Sequence, residues 1–105
     1  MSLLLTDRRE RAIERSEREG RKWNGLVDSL LEAFDRSVDA PPQLAAKMEE
    51  LRHKRDTLST KVAALRHHKR SGWKRAQLEL GDARRELRNA WRSVIATLDR
   101  ESLFI

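Results

Sequence analysis

Glu50 and His53 form a Glu-x-x-His step, which on a helix sets a carboxylate and an imidazole one turn apart, half of the ligand pattern of di-iron carboxylate bundles. Such a centre needs a second copy of the step and further glutamates from neighbouring helices. This chain has one copy, so the spacing reads as coincidence. His67 and His68 are adjacent and point to different sides of a helix, whereas ligands sharing a metal on one helix face stand three or four residues apart. With no cysteine in the chain there is no thiolate site and no disulfide framework. No serine stands in a nucleophile-elbow context, and no glycine-rich phosphate loop is present. The expectation is a chain that is not an enzyme, with no cofactor, no metal and no small-molecule substrate.

Charge is a stronger signal. The net charge is +6 and the isoelectric point about 10.5. Residues 1–40 hold 8 basic and 9 acidic side chains, residues 41–71 hold 8 and 3, and residues 72–105 hold 7 and 5. The excess lies in the second third of the chain and the turn after it. The densest run is residues 66–75, where Arg66, Lys69, Arg70, Lys74 and Arg75 surround Trp73 at the start of a helix. Backbone N–H groups at a helix start also favour phosphate. These five residues are a candidate surface for an anionic partner, with nucleic-acid binding expected to be weak at most. The competing reading is a solvated arginine-rich helix end with Trp73 closing the core seam.

The elements that position these residues follow from periodicity. Leu44, Leu51, Leu58 and Leu65 recur every seven residues, with Met48, Arg55, Val62 and Lys69 four after each. That 4,3 alternation draws one narrow apolar seam along a helix. Arg55 interrupts it, either paired internally, with Glu86 as a candidate, or with its charge reaching past the core edge; Lys69, at its end, is expected to reach solvent. Trp73, Leu80, Leu87 and Val94 repeat the step of seven, with Ala76, Ala83 and Ala90 between them, and Trp91, Ile95 and Leu98 widen that face. In the first third, Ile13, Ser16, Gly20, Trp23, Val27, Leu30 and Phe34 step 3,4,3,4.

Residues 7–22 interleave arginine and glutamate around Ala12 and Ile13 and read as a charged, solvated helical arm, loosely held at its outer end, with Glu14–Arg18 and Glu17–Arg21 as pairs four apart. Gly20 and Asn24-Gly25 argue for a break. A continuous helix to about Asp39 is preferred, because a two-residue turn would throw Ile13 and Val27 off a common face. Ala40-Pro41-Pro42 ends it, and Ser71-Gly72 ends the next. Helices are therefore expected at about 7–39, 42–70 and 73–101, forming one domain.

Ala, Glu, Lys, Leu and Arg make up 59 of the 105 residues, above the roughly 50% typical of long helices and coiled coils. The fold class is all-α: an up-down-up antiparallel three-helix bundle with coiled-coil-like heptad packing, about 40 to 45 Å long at 1.5 Å per residue. The expected core is Trp23, Leu30, Phe34, Leu44, Leu51, Leu58, Leu65, Trp73, Leu80, Leu87, Trp91 and Val94. Trp73 is expected near Leu65 and Ile13, Leu58 near Trp23 and Leu87, and Trp91 near Leu51 and Leu30, placing the tryptophans in three separate layers.

Three helices with tryptophans in the first and third resemble a spectrin-type repeat in outline. The short second helix and the Pro-Pro loop depart from that pattern. The resemblance implies a structural or docking module.

The apolar run near the start is too short for a signal peptide or membrane span, so a cytoplasmic protein away from membranes is expected. Leu26, Leu31, Leu78, Ile95 and Leu103-Phe104-Ile105 lie beside or beyond the seams. Some of this apolar surface would stay exposed in a monomer. A homodimer is therefore expected, through Ile95, Leu103, Phe104 and Ile105. The leading functional reading is a helical interaction or scaffold module that binds another protein or itself. The alternative is a nucleic-acid module using the basic second helix and residues 66–75.

Overall fold

The structure, a computed structural model, describes residues 2–37 and 39–100, and the side chains of these apart from residues 2–7 and Arg70. Three helices pack against each other: α1 (Ser2–Asp35), α2 (Pro42–Ala64) and α3 (Trp73–Arg100). Short 3₁₀ turns at Leu65–His67 and Arg70–Gly72 join α2 to α3. No strand occurs among the described residues. The molecule measures 58 × 19 × 18 Å, longer than heptad counting suggests because α1 starts at Ser2 rather than near Asp7.

Helix one runs unbroken through Gly20 and Asn24-Gly25. The Asn24 side chain is engaged elsewhere: Ser59 Oγ of α2 donates to its Oδ1 at 3.0 Å. Gly20 lies buried against the Val62 methyls, so the missing side chain sits at a helix contact. The helix stops at Asp35, four residues before the expected Asp39. Ser37 N–H turns back to the Phe34 carbonyl at 3.0 Å, tightening the last turn so that the chain enters Pro41 extended, with φ −61° and ψ 144°. Pro42 then fills the first helical turn, where a missing N–H costs nothing.

Helix two ends at Ala64, six residues before the expected Arg70. The 3₁₀ turn keeps Leu65 buried, and His68 then becomes extended, with φ −75° and ψ 133°. Its exposed carbonyl accepts a hydrogen bond from the Arg9 guanidinium of α1. This tertiary partner compensates for the lost helical one. Lys69 therefore does not continue the seam; it stands exposed in the junction.

The core runs along the predicted seams of α2 and α3. Leu44, Met48, Leu51, Leu58, Val62 and Leu65 are buried on one side, and Ala76, Leu80, Ala83, Leu87, Ala90, Val94 and Leu98 on the other. Thr97 is the one buried polar side chain among the described residues, and its hydroxyl donates to the Ser93 carbonyl at 3.0 Å. From α1 come Ile13, Val27 and Leu31. Trp23, Leu30, Phe34, Trp73 and Trp91, expected in the core, are only partly buried and pack against its edge. The three tryptophans do not occupy separate layers. Trp23 and Trp91 meet edge to face, with ring centroids 5.8 Å apart, because α1 turns Val27 and Leu31 inward and leaves its large ring on the flank facing α3.

Helix two packs more extensively against α3 than against α1, while α1 and α3 approach each other least closely. Polar bridges reinforce both α2 contacts. Toward α3, Lys47 Nζ meets Ser93 Oγ at 2.8 Å, Lys54 meets Glu86 at 3.6 Å and Lys61 meets Glu79 at 3.3 Å. Toward α1, Arg55 reaches Asp28 and Arg66 reaches Glu17 and Glu10 at 2.9 Å.

Candidate functional site

Residues 8–22 do not form a loose solvated arm. Ile13 is 3% exposed, and the acidic residues of this stretch are turned toward the other helices. Arg66 holds Glu17 with two prongs, Nε to Oε2 and NH2 to Oε1, each 2.9 Å, and Glu10 with a third bond. Arg84 of α3 reaches Glu19. Glu17, expected to pair with Arg21 along its own helix, pairs across helices instead, because the bidentate guanidinium is the better-matched donor. That hydrogen bonding holds the Glu17 carboxyl below the usual carboxylate range, even against the opposing effect of desolvation. It also raises the Arg66 guanidinium further, Glu17 ahead of Glu10.

Arg55 is resolved as a paired arginine, 14% exposed, bound to Asp28 and Asp56. Burial pushes its pKa down, but the hydrogen bonds to Asp28 and Asp56 prevail and leave it raised. Glu86, the partner suggested by spacing, belongs to Lys54.

The proposed anionic-partner patch is only partly available. Arg66 is saturated by two glutamates, and Arg75 pairs with Glu79 at 3.4 Å along its own helix. Lys69 and Lys74 are exposed and form no ion pair among the described residues. Arg70's side chain lies outside the described part. Glu50, His53 and His67 are exposed and His68 is half-buried; among the described residues no three His, Cys, Asp or Glu side chains gather in a way that could hold a metal ion.

Sequence reasoning missed a cleft between α1, the junction and α3. It has a volume of about 460 Å³, with Leu65, Trp73 and Leu80 supplying apolar wall and Arg15, Gln77 and Arg84 polar wall. It opens because α1 and α3 diverge there. The Trp73 ring is partly covered by the Arg9 guanidinium, 5.0 Å from the ring centroid.

The same contacts distribute charge unevenly. Arg9 meets His68 and Trp73, Arg66 meets Glu10 and Glu17, and Lys61 meets Glu79, so the first half of α1, the end of α2 and the start of α3 gather. Residues 8–24 and 59–81 hold 13 Lys and Arg against five Asp and Glu, whereas residues 25–58 and 82–100 hold ten of each. One half of the molecule thus carries a surplus of eight positive charges and the other none. Linear segments do not show this, because α1 averages a basic first half with an acidic second half.

Of the expected self-association residues, Ile95 is partly buried against the core, and Leu103, Phe104 and Ile105 lie outside the described residues. Leu31, expected beside the seam, is buried, whereas Leu26 and Leu78 are 41% and 65% exposed. Among the described residues no helix is long and apolar enough to cross a membrane.

Comparison with protein-family models, with curated proteins and with solved structures found no match.

Proposed function

We propose that the chain is a non-enzymatic helical interaction module, an up-down-up antiparallel three-helix bundle with heptad packing that presents helix faces to another protein or to a second copy. The antiparallel order is supported by the bridges between α2 and α3: Lys47, Lys54 and Lys61 rise by sevens while their partners Ser93, Glu86 and Glu79 fall by sevens. Between α1 and α2, Glu17, Asn24 and Asp28 rise while Arg66, Ser59 and Arg55 fall. Heptad packing is supported by the unbroken burial of Leu44, Leu51, Leu58 and Leu65.

The observation that carries the interaction reading is the cleft. Helix two hides its seam between two neighbours, yet α1 and α3 leave Trp73, Leu65 and Leu80 lining an open space of about 460 Å³. A concave, partly apolar site is the ordinary form of a docking surface. A photo-crosslinking side chain at Gln77, beside the cleft, should capture one discrete protein in cells, while the same group at Arg92, exposed in the neutral half, should not. Equal labelling from both positions, or none from either, defeats the reading.

Nucleic-acid binding is a second reading, favoured by the positive surplus at one half and weakened by the quenching of Arg66 and Arg75. Its signature is an affinity falling steeply with salt as phosphate contacts are screened, abolished by Lys69→Glu with Arg70→Glu at unchanged helicity. Absence of binding at low salt removes it.

A further inference from the structure

Resting on the interaction reading, we propose that the cleft beside Trp73 takes an acidic amphipathic helix from a partner protein. The space admits a few apolar side chains against Leu65, Trp73 and Leu80. Its α1 edge is basic: Arg8, Arg15 and Lys22 recur every seven residues and all are exposed, with Arg15 in the cleft wall itself. At 1.5 Å per residue they stand about 10 Å apart along one line, the repeat at which a docked helix presents carboxylates seven apart. Arg84 stands on the α3 wall and Arg88, one turn further along, is exposed. The cleft also lies in the half with the surplus of eight positive charges, a field that attracts acidic partners and repels a second copy of this same end.

Two features favour a helix over a nucleic-acid strand. The Arg9 guanidinium sits over the Trp73 ring, occupying the aromatic surface on which a base would stack. Leu65 and Leu80 supply aliphatic contact that a phosphate chain does not use, and the one carboxylate in the lining, Glu19, is already held by Arg84.

The test is fluorescence anisotropy of the full chain with three labelled probes. These are a helical peptide with leucines at a 3,4 spacing and glutamates on its flanks, the same peptide with lysines for glutamates, and a single-stranded oligonucleotide. The acidic peptide should bind best, and more weakly as salt rises. Arg15→Glu and Gln77→Glu should each weaken it by about tenfold, and Arg92→Glu, the same charge change in the neutral half, by less than about twofold. Binding of the lysine peptide as tight as that of the acidic one overturns the proposal, as does an equal loss with Arg92→Glu. Tighter binding of the oligonucleotide, lost on Arg15→Glu, makes the cleft a nucleic-acid site instead. A discrete crosslink at Gln77 without acidic-peptide binding removes the acidic partner while leaving the interaction module intact; absence of that crosslink removes both.

Discussion

Trp23 of α1 and Trp91 of α3 meet edge to face with centroids 5.8 Å apart at an interplanar angle of 75°, joining two helices that otherwise approach each other little. Such a pair contributes about 0.5 to 1.5 kcal/mol beyond its buried area. A double-mutant cycle with Trp23→Leu and Trp91→Leu, followed by denaturant unfolding, should return a coupling energy in that range. Strict additivity shows that the rings do not interact in solution.

Leu58 is 1% exposed at the middle of the α2 seam. Leu58→Ala should cost about 2 to 5 kcal/mol, since it removes buried methyl groups and leaves a void. Arg18 is exposed, and Arg18→Ala should shift the unfolding midpoint negligibly. A Leu58→Ala change below about half a kcal/mol places that residue outside the core.

Glu17 and Glu79 titrate below the usual carboxylate range, held there chiefly by hydrogen bonds from Arg66 and Lys61 respectively. A depressed pKa contributes stability that is complete above the unfolded glutamate value, about 4.3, and is lost as pH falls through the lower folded value. Glu17→Gln and Glu79→Gln should therefore lower the thermal midpoint at pH 7, and the gap to the unaltered protein should close in strong acid. A gap independent of pH contradicts these ion pairs. Both carboxylates are solvent-accessible, so salt should narrow the gap as well.

Gly25 and Gly81 lie within α1 and α3, and a Cβ at either would meet no atom within 4 Å. Gly25→Ala and Gly81→Ala should each stabilise by about 0.5 to 1 kcal/mol, the helix-propensity difference alone. Destabilisation by Gly25→Ala indicates a break at Asn24-Gly25 in solution.

Self-association is expected in the neutral half, where like charges do not oppose it. Light scattering at tens of micromolar should give a mass near twice 12.3 kDa, and Ile95→Glu should lower it toward one chain. A mass of 12.3 kDa throughout excludes the homodimer.

Much of the helical layout was legible in the sequence, because a leucine every seven residues has few alternatives: Leu44, Leu51, Leu58, Leu65, Leu80, Leu87 and Val94 are all buried. Pro41-Pro42 and Ser71-Gly72 marked where α2 and α3 begin, since proline and glycine act locally. What remained illegible depended on contacts distant in sequence. Arg9 bonding to His68 shows how α2 can end early without a proline or glycine at Ala64. The quenching of Arg66 required Glu10 and Glu17, more than 45 residues away, so a run that is basic in sequence is partly neutral in space. The cleft was invisible for the same reason, since no pattern within one helix reports how far apart two others stand.

The unequal sharing of α2 between its neighbours also implies an order of opening. Helices two and three are joined by the short junction at residues 65–72 and make the more extensive interface, so they can re-form after little loop closure. Helix one is held chiefly along one side, largely through ion pairs and a thin apolar line. It is the cooperative unit with the smaller free energy of release. In native-state hydrogen exchange the α1 amides should therefore exchange together and ahead of those in the middle of α2 and α3. Exchange of all three helices at a single free energy would show that the molecule opens only as a whole.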